Sequence, residues 1–268
     1  MRRLIQIFTL MLLGLQSIPV NADLLVLVHG YLGSAASWQR SGVSAVLAQH
    51  GWQPGGVVRP EGIYGAVGPA KGDLQYAVDL PSLAPLALQA ELLARELALL
   101  AARYPGEPMV LIGHSAGGVV ARLALVLGRA PQAKALITIA APHLGTMRAV
   151  QALDETDDPF PLSWMKSFMV GDIYDLVRDS RGVLIDLAPA RPGSLLYWLN
   201  VQPHPEMAYI SIIRPGPVGL GDELVPAFSQ DMNSVAALAG RAEQITQPTS
   251  HQLNPVDGQL LVRVLRRL

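Results

Sequence analysis

Met109-Val-Leu-Ile-Gly113-His114-Ser115-Ala116-Gly117-Gly118-Val119-Val120 is the stretch on which the reading of the fold turns. An unbroken apolar run, Met109 to Ile112, enters a Gly-x-Ser-x-Gly turn. Val119, Val120, Leu123 and Leu127 then lead out at helical spacing to Gly128. Continuous hydrophobicity marks a strand buried on both faces, and the spacing that follows marks a helix. The glycines let the strand reverse sharply into that helix where bulkier residues would clash. Ser115 is thereby placed at the apex, with the backbone N–H groups and positive dipole end of the helix beside its hydroxyl. A bare five-residue pattern is weak on its own. The strand before it and the helix after it give it weight, and Gly118 adds room for close helix-to-strand packing.

Working outward, further short runs suited to strands occur at Asp23 to Val28, Gln75 to Leu80, Ala135 to Ala140, Ala208 to Ile213 and Ala242 to Thr246. Between them, Leu86 to Arg103 repeats leucine and alanine every three or four residues until Pro105-Gly106 stops the pattern, and Val256 to Leu268 closes the chain as another helix. Strands alternating with helices predict an α/β fold, a mostly parallel sheet with helices on both faces. From Thr146 to about Pro205 the rhythm breaks, and no strand signal appears between two successive strands. An insertion of that length reads as a cap over one edge of the sheet. The chain shows no internal repeat, low-complexity tract or linker, so one domain, 23–268, carries a cap insertion at about 146–205.

His29-Gly30-Tyr31-Leu32-Gly33 follows the first strand. Attack on an acyl carbon throws negative charge onto its oxygen, which two backbone N–H donors must already face. The N–H of Ala116, next after Ser115, is one natural donor. Tyr31 is nominated for the other, with glycines 30 and 33 letting its loop approach the serine.

These strings, Val28-His-Gly-Tyr-Leu-Gly33, Ile112-Gly-His-Ser-Ala-Gly-Gly118 and Ala141-Pro-His-Leu-Gly-Thr146, resemble the α/β-hydrolase superfamily. More narrowly, the chain is similar to lipase-like members related to GPI inositol deacylases and bacterial triacylglycerol lipases. The resemblance covers nearly all of the chain after the leader and is weak through the cap. It implies the α/β-hydrolase fold, a Ser-Asp-His triad in that chain order, the oxyanion hole outlined above, and hydrolysis of carboxylic esters, often lipidic.

A serine hydroxyl needs an imidazole to take its proton, and the imidazole needs a carboxylate to fix its tautomer. Of six histidines, His29 and His114 belong to the two motifs as shaping residues, His50 sits in a turn, and His204, flanked by prolines, is expected in an exposed connection. His143 ends a strand near the site and looks structural in similar proteins. His251, in Pro248-Thr-Ser-His251, falls between the last strand and the last helix, at the carboxyl edge where ligands of parallel sheets gather, and the resemblance puts the triad histidine there too. Gly221-Asp222-Glu223-Leu-Val-Pro226 looks like the family's acid loop, which assigns Asp222. Glu223 is the adjacent rival, and Asp154, Asp157 and Asp158 form a second rival group. The remaining carboxylates read as solvated loop charges.

Composition bounds the rest. The 268 residues are 50% hydrophobic, and Lys+Arg 20 against Asp+Glu 21 leave a formal charge of −1. No basic run exists to neutralise phosphates, which excludes nucleic-acid binding, and so much apolar surface excludes disorder. The chain has Cys 0, which removes disulfides, thiolate metal sites and cysteine nucleophiles. Arg2 and Arg3, the apolar run Leu4 to Leu15, and Val20-Asn21-Ala22 make residues 1–22 a secretory signal peptide cleaved after Ala22. The alternative, a retained anchor, meets an apolar run shorter than the roughly 20 residues a spanning helix needs. Losing Arg2 and Arg3 takes the charge from −1 to −3 in a secreted or periplasmic protein.

Within the cap, Trp164, Met165, Phe168, Met169, Ile173 and Tyr174 recur at helix-like intervals. Such a stripe reads first as a helix packed on its own core; the alternative is a lid that meets a membrane surface transiently. A hydrophobic groove beneath it would select acyl chains at roughly 0.8 kcal/mol per buried methylene. No His, Asp and Glu cluster has metal-ligand spacing, and no Gly-rich segment carries a phosphate-binding Lys, so neither metal nor cofactor is expected. The sequence thus describes a serine esterase or lipase acting on a small-molecule or lipid ester through an acyl-enzyme. An acyltransferase on the same triad and a catalytically silent binding protein are the competing readings; the oligomeric state is not read from it.

Overall fold

Five branched aliphatic side chains in a row, Leu24–Val28, form β1, and all five are buried. The computed structural model describes residues 23–65, 73–154 and 179–268. The leader, the stripe from Trp164 to Tyr174, Asp157 and Asp158 lie outside the described residues. Chain order is β1, α1 (Ser37–Arg40), α2 (Val43–Gln49), β2 (Gln53–Arg59), β3 (Gly62–Tyr64), β4 (Leu74–Val78), α3 (Leu86–Arg103), β5 (Met109–His114) and α4 (Ala116–Val126). It continues with β6 (Ala133–Ile139), α5 (Met147–Asp154), α6 (Arg181–Leu187), α7 (Leu195–Val201), β7 (Ala208–Ile213), α8 (Ala227–Gln230), β8 (Ala242–Thr246) and α9 (Pro255–Leu265).

The strands join in one sheet in the order β3-β2-β4-β1-β5-β6-β7-β8. Only the β2–β3 pairing is antiparallel among those of the described residues. Because side chains alternate along a strand, a fully buried strand serves two cores. Leu24, Val26 and Val28 pack with Leu93 and Leu97 of α3 and Val119 and Leu123 of α4. Leu25 and Leu27 pack on the other face with Trp38, Leu47 and Leu261 from α1, α2 and α9. Each such leucine contributes roughly 1.5–3 kcal/mol by leaving water. Helices therefore cover both faces, as the sequence pattern requires.

α3 buries Leu86, Ala90, Leu93, Leu97 and Leu100 at the expected spacing. Its first N–H, that of Leu86, donates to the Asp186 carboxylate of α6 at 2.8 Å, so a helix between β6 and β7 supplies the cap that its own sequence lacks. α9 begins with a capping box: the Asn254 side chain accepts from Val256 N–H at 2.9 Å and Asp257 returns to Asn254 N–H at 3.0 Å. No helix among the described residues is long and apolar enough to cross a membrane.

Two carboxylates depart from the solvated reading. Asp257 is buried, and its other oxygen pairs with the buried Arg214 guanidinium at 2.6 Å. Glu96 on α3 is 0% exposed, and neither carboxylate oxygen meets a partner among the described residues. Desolvation, aided by the charges of Asp79 and Glu61, pushes its pKa up to about 8. The folded chain thus holds a proton on Glu96 that the unfolded chain releases from near pH 4.5 upward. Stability from this group is complete below that value and falls as pH rises toward about 8. Glu96→Gln, neutral and similar in shape, is expected to raise Tm at pH 8–9 relative to the parent and to leave it unchanged near pH 4, as differential scanning calorimetry across pH would read.

Candidate active site

The turn between β5 and α4 holds Ser115 at φ 52, ψ −129, a backbone conformation that a side-chain-bearing residue adopts at a cost of about 1–3 kcal/mol. Its N–H donates to the Ile139 carbonyl of β6 at 2.8 Å, and its carbonyl accepts from Gly118 N–H at 3.0 Å. Two contacts show why glycines flank it. A Cβ on Gly117 would run into the carbonyls of Val28 and His29, and one on Gly30 would stand 2.8 Å from the Cβ of Ser115. The loop after β1 is thus packed directly against the serine. Within it, Gly33 N–H closes a turn on the Gly30 carbonyl at 3.0 Å with Leu32 at φ 59.

His251 lies in the loop between β8 and α9. Its Nε2 is 3.0 Å from Ser115 Oγ, and its Nδ1 is 2.9 Å from Asp222 Oδ2. Asp222, in the loop between β7 and α8, presents a side chain with 0% exposure. Its Oδ1 accepts from the N–H groups of Leu224 at 2.8 Å and Val225 at 2.7 Å. Burial pushes this carboxyl up, but the hydrogen bond and charge of His251 and the two backbone donors outweigh it and hold Asp222 below the usual carboxylate range. An ionised acceptor accordingly faces Nδ1, so Nδ1 carries the proton and Nε2 is left with a lone pair toward the serine. The rival Glu223 is exposed, and its Oε1 accepts from the backbone N–H of His251 at 3.1 Å. It supports the loop rather than the ring. Asp154, the other rival described, ends α5 on the surface.

The shaping histidines have definite partners. His29 Nδ1 donates to the Gly30 carbonyl at 3.0 Å while its Nε2 accepts from Leu80 N–H at 3.1 Å, an arrangement open only to a neutral ring. Burial lowers its pKa accordingly. His114 Nε2 donates to the backbone carbonyl of His251 at 2.9 Å, and desolvation together with the nearby His251 pulls its pKa down to about 3. It fixes the His251 loop without adding charge. His143 is buried and bonds Thr138 Oγ1 at 3.2 Å. His204 departs from its expected exposed connection. The ring is buried, packs edge-on against Tyr209 and bonds the Gln202 carbonyl at 2.8 Å, because the Pro203-His204-Pro205 segment folds back onto β7.

Ala116 opens α4, where the first N–H groups have no intrahelical acceptor, and Tyr31 occupies the turn against Ser115. The Tyr31 hydroxyl donates to Ser180 Oγ at 3.0 Å, tying this loop to the segment before α6. Gln230 is a residue the sequence reading missed. Its Nε2 donates to Asp222 Oδ2 at 3.2 Å and the Val225 carbonyl at 2.8 Å, while its Oε1 accepts from Arg214 N–H at 2.7 Å. One buried amide therefore sets the acid loop against β7. No sequence pattern distinguishes this glutamine from any other.

Two cavities meet at Ser115 and His251. One, about 450 Å³, extends past Gly33 to Arg40 and Gln252. The other, about 60 Å³, is walled by Pro142, Ala149, Leu184, Leu187 and Val225. Among the described residues, no group of three or more His, Asp or Glu is placed to hold a metal ion.

The chain belongs to the alpha/beta hydrolase family, whose model matches residues 25–260. Among solved structures it is similar to the mature form of the lipase BlEst2 of Bacillus licheniformis, at 15% identity and TM-score 0.63 over 92% of each chain. It is similar also to the metagenomic carboxyl esterase MGS0156, at 17% identity and TM-score 0.55 over 93% of this chain and 77% of that one. A lipase-esterase related protein from Clostridium acetobutylicum matches at 11% identity and TM-score 0.58, over 91% and 93% of the two chains. No curated protein matches the chain.

Proposed function

We propose that this protein is a serine hydrolase of carboxylic esters that works through an acyl-enzyme. The observation that carries the reading is the unbroken chain from Asp222 through His251 to Ser115, at 2.9 and 3.0 Å, beside two cavities. The names lipase and carboxyl esterase borne by similar structures direct the acyl chemistry toward carboxylic esters.

In the first half-reaction Ser115 Oγ attacks the ester carbonyl carbon as His251 Nε2 takes the hydroxyl proton, and Asp222 stabilises the imidazolium. Charge on the carbonyl oxygen is received by the N–H groups of Tyr31 and Ala116. The tetrahedral adduct collapses, its bond to the alcohol oxygen breaks, and Nε2–H protonates that oxygen. Water then attacks the acyl carbon, giving its proton to His251; the bond to Oγ breaks, the carboxylic acid leaves, and the proton returns to Ser115. Export through the leader belongs to the same reading.

Pre-steady-state hydrolysis of p-nitrophenyl butyrate tests it. The expected trace is a burst of p-nitrophenol close to one per enzyme before the linear phase, as acylation outruns deacylation. Absence of ester turnover with short and long acyl chains alike would count against the proposal.

A further inference from the structure

The two cavities at the site differ in a way that assigns them to different halves of an ester. The small one is walled mainly by leucine, valine, alanine and proline side chains. Its arginine, Arg148, is engaged elsewhere, donating from Nε to the Glu223 carbonyl and from Nη1 to Gln151 Oε1, each at 3.0 Å. The large one adds hydroxyl and amide groups, Ser37, Ser41 and Gln252 among them, to Leu32, Leu224 and Leu253, and no described carboxylate lines it. Arg40 does. No described residue forms an ion pair with this guanidinium, and the histidine on the same wall, His114, is held neutral. Arg40 is thus a cationic group on this wall with no described carboxylate paired to it.

Which half goes where follows from the order of events. The acyl group stays tethered to Ser115 Oγ after the first step, whereas the alcohol must depart and the deacylating water must arrive. The roomier cavity suits the half that leaves, and the small, mainly apolar one suits a short acyl chain that remains. Resting on the function proposed above, we infer that the large cavity is a leaving-group site selecting esters whose alcohol carries an anionic group, recognised by Arg40. A guanidinium presents several N–H donors in a fixed plane, matching a carboxylate or phosphate on the alcohol. Arg40 acts on specificity and touches no reacting atom.

The test compares the butyrate ester of 3-hydroxybenzoate with that of the neutral 3-hydroxybenzamide, which share acyl chain and ring. The readout is the anionic-to-neutral ratio of kcat/KM. This ratio is expected to fall roughly five- to tenfold in Arg40→Gln and by less in Arg40→Lys, which keeps the charge but not the planar fork. In the parent protein, which needs no substitution, raising salt from about 0.02 to about 0.5 M should lower the ratio, since the cavity is open to solvent. Salt is not expected to alter it in Arg40→Gln. An unchanged ratio in Arg40→Gln, or no salt dependence in the parent, overturns the assignment while ester hydrolysis itself stands. A stronger preference for a charge on the acyl half, read with phenyl hemisuccinate against phenyl butyrate, also overturns it. If neither butyrate ester is cleaved, the hydrolase reading fails and the leaving-group site falls with it.

Discussion

Replacing Ser115 with alanine is expected to lower kcat for a p-nitrophenyl ester by about 10⁴- to 10⁶-fold while the protein stays folded. The size follows from what is lost. No other hydroxyl bonds His251 Nε2 among the described residues, so without Oγ the imidazole has no side-chain nucleophile to deprotonate. What remains is attack by water on the bound ester, which in serine hydrolases stripped of a triad member keeps about 10³–10⁴ over water alone. The fold should tolerate the change, because the backbone around Ser115 is held by its N–H bond to Ile139 and the packing of Gly30 and Gly117, none of which uses Oγ. Near-normal turnover in Ser115→Ala with an unaltered circular dichroism spectrum would remove the serine from the reaction.

Asp222→Asn is expected to cost roughly 10⁴-fold in kcat, and Glu223→Gln less than about tenfold. An asparagine can accept the Nδ1 proton only by presenting its oxygen, yet Leu224 and Val225 N–H already point at one atom of the group and Gln230 Nε2 at the other. Turning an NH₂ toward either position sets donor against donor or drives His251 into the tautomer whose Nε2 carries the proton. Such a ring cannot accept the serine proton. Glu223 bonds only the backbone N–H of His251, and an amide oxygen can replace its carboxylate there. Parallel kcat and KM measurements on the two variants check this, and the reverse ranking would make Glu223 the acid.

How far the sequence reaches depends on the kind of residue. β1, β5 and β7 are legible because strands buried on both faces must be apolar throughout, and α3 because one face alone meets the core. β2 and β3 were not legible. Gln53-Pro54-Gly55-Gly56 has the composition of a loop, but Gly55 is there because the ring of Tyr76 on β4 lies where its Cβ would be. Only the folded neighbour explains it. The short α2 likewise lacked enough turns to show a periodicity.

At the site, Ser115 was legible because its motif encodes a backbone strain, and His251 because of its place after the last strand. Between Asp222 and Glu223 the sequence could offer only a resemblance, since adjacent carboxylates differ in the direction each side chain takes. The coordinates separate them: one meets the ring and the other the main chain. Gln230, Glu96 and the Arg214–Asp257 pair escaped because their significance lies in burial, which composition assigns to apolar residues. His204 escaped for the same reason.

The central claim is that Asp222, His251 and Ser115 converge to activate one hydroxyl. It is met most directly by treating the protein with a fluorophosphonate and locating the adduct by peptide mass spectrometry, in the parent and in His251→Ala. The account predicts a single adduct on Ser115, formed at least about 10³-fold more slowly once the imidazole is gone. No adduct, an adduct on another residue, or equal rates in the two proteins would contradict it.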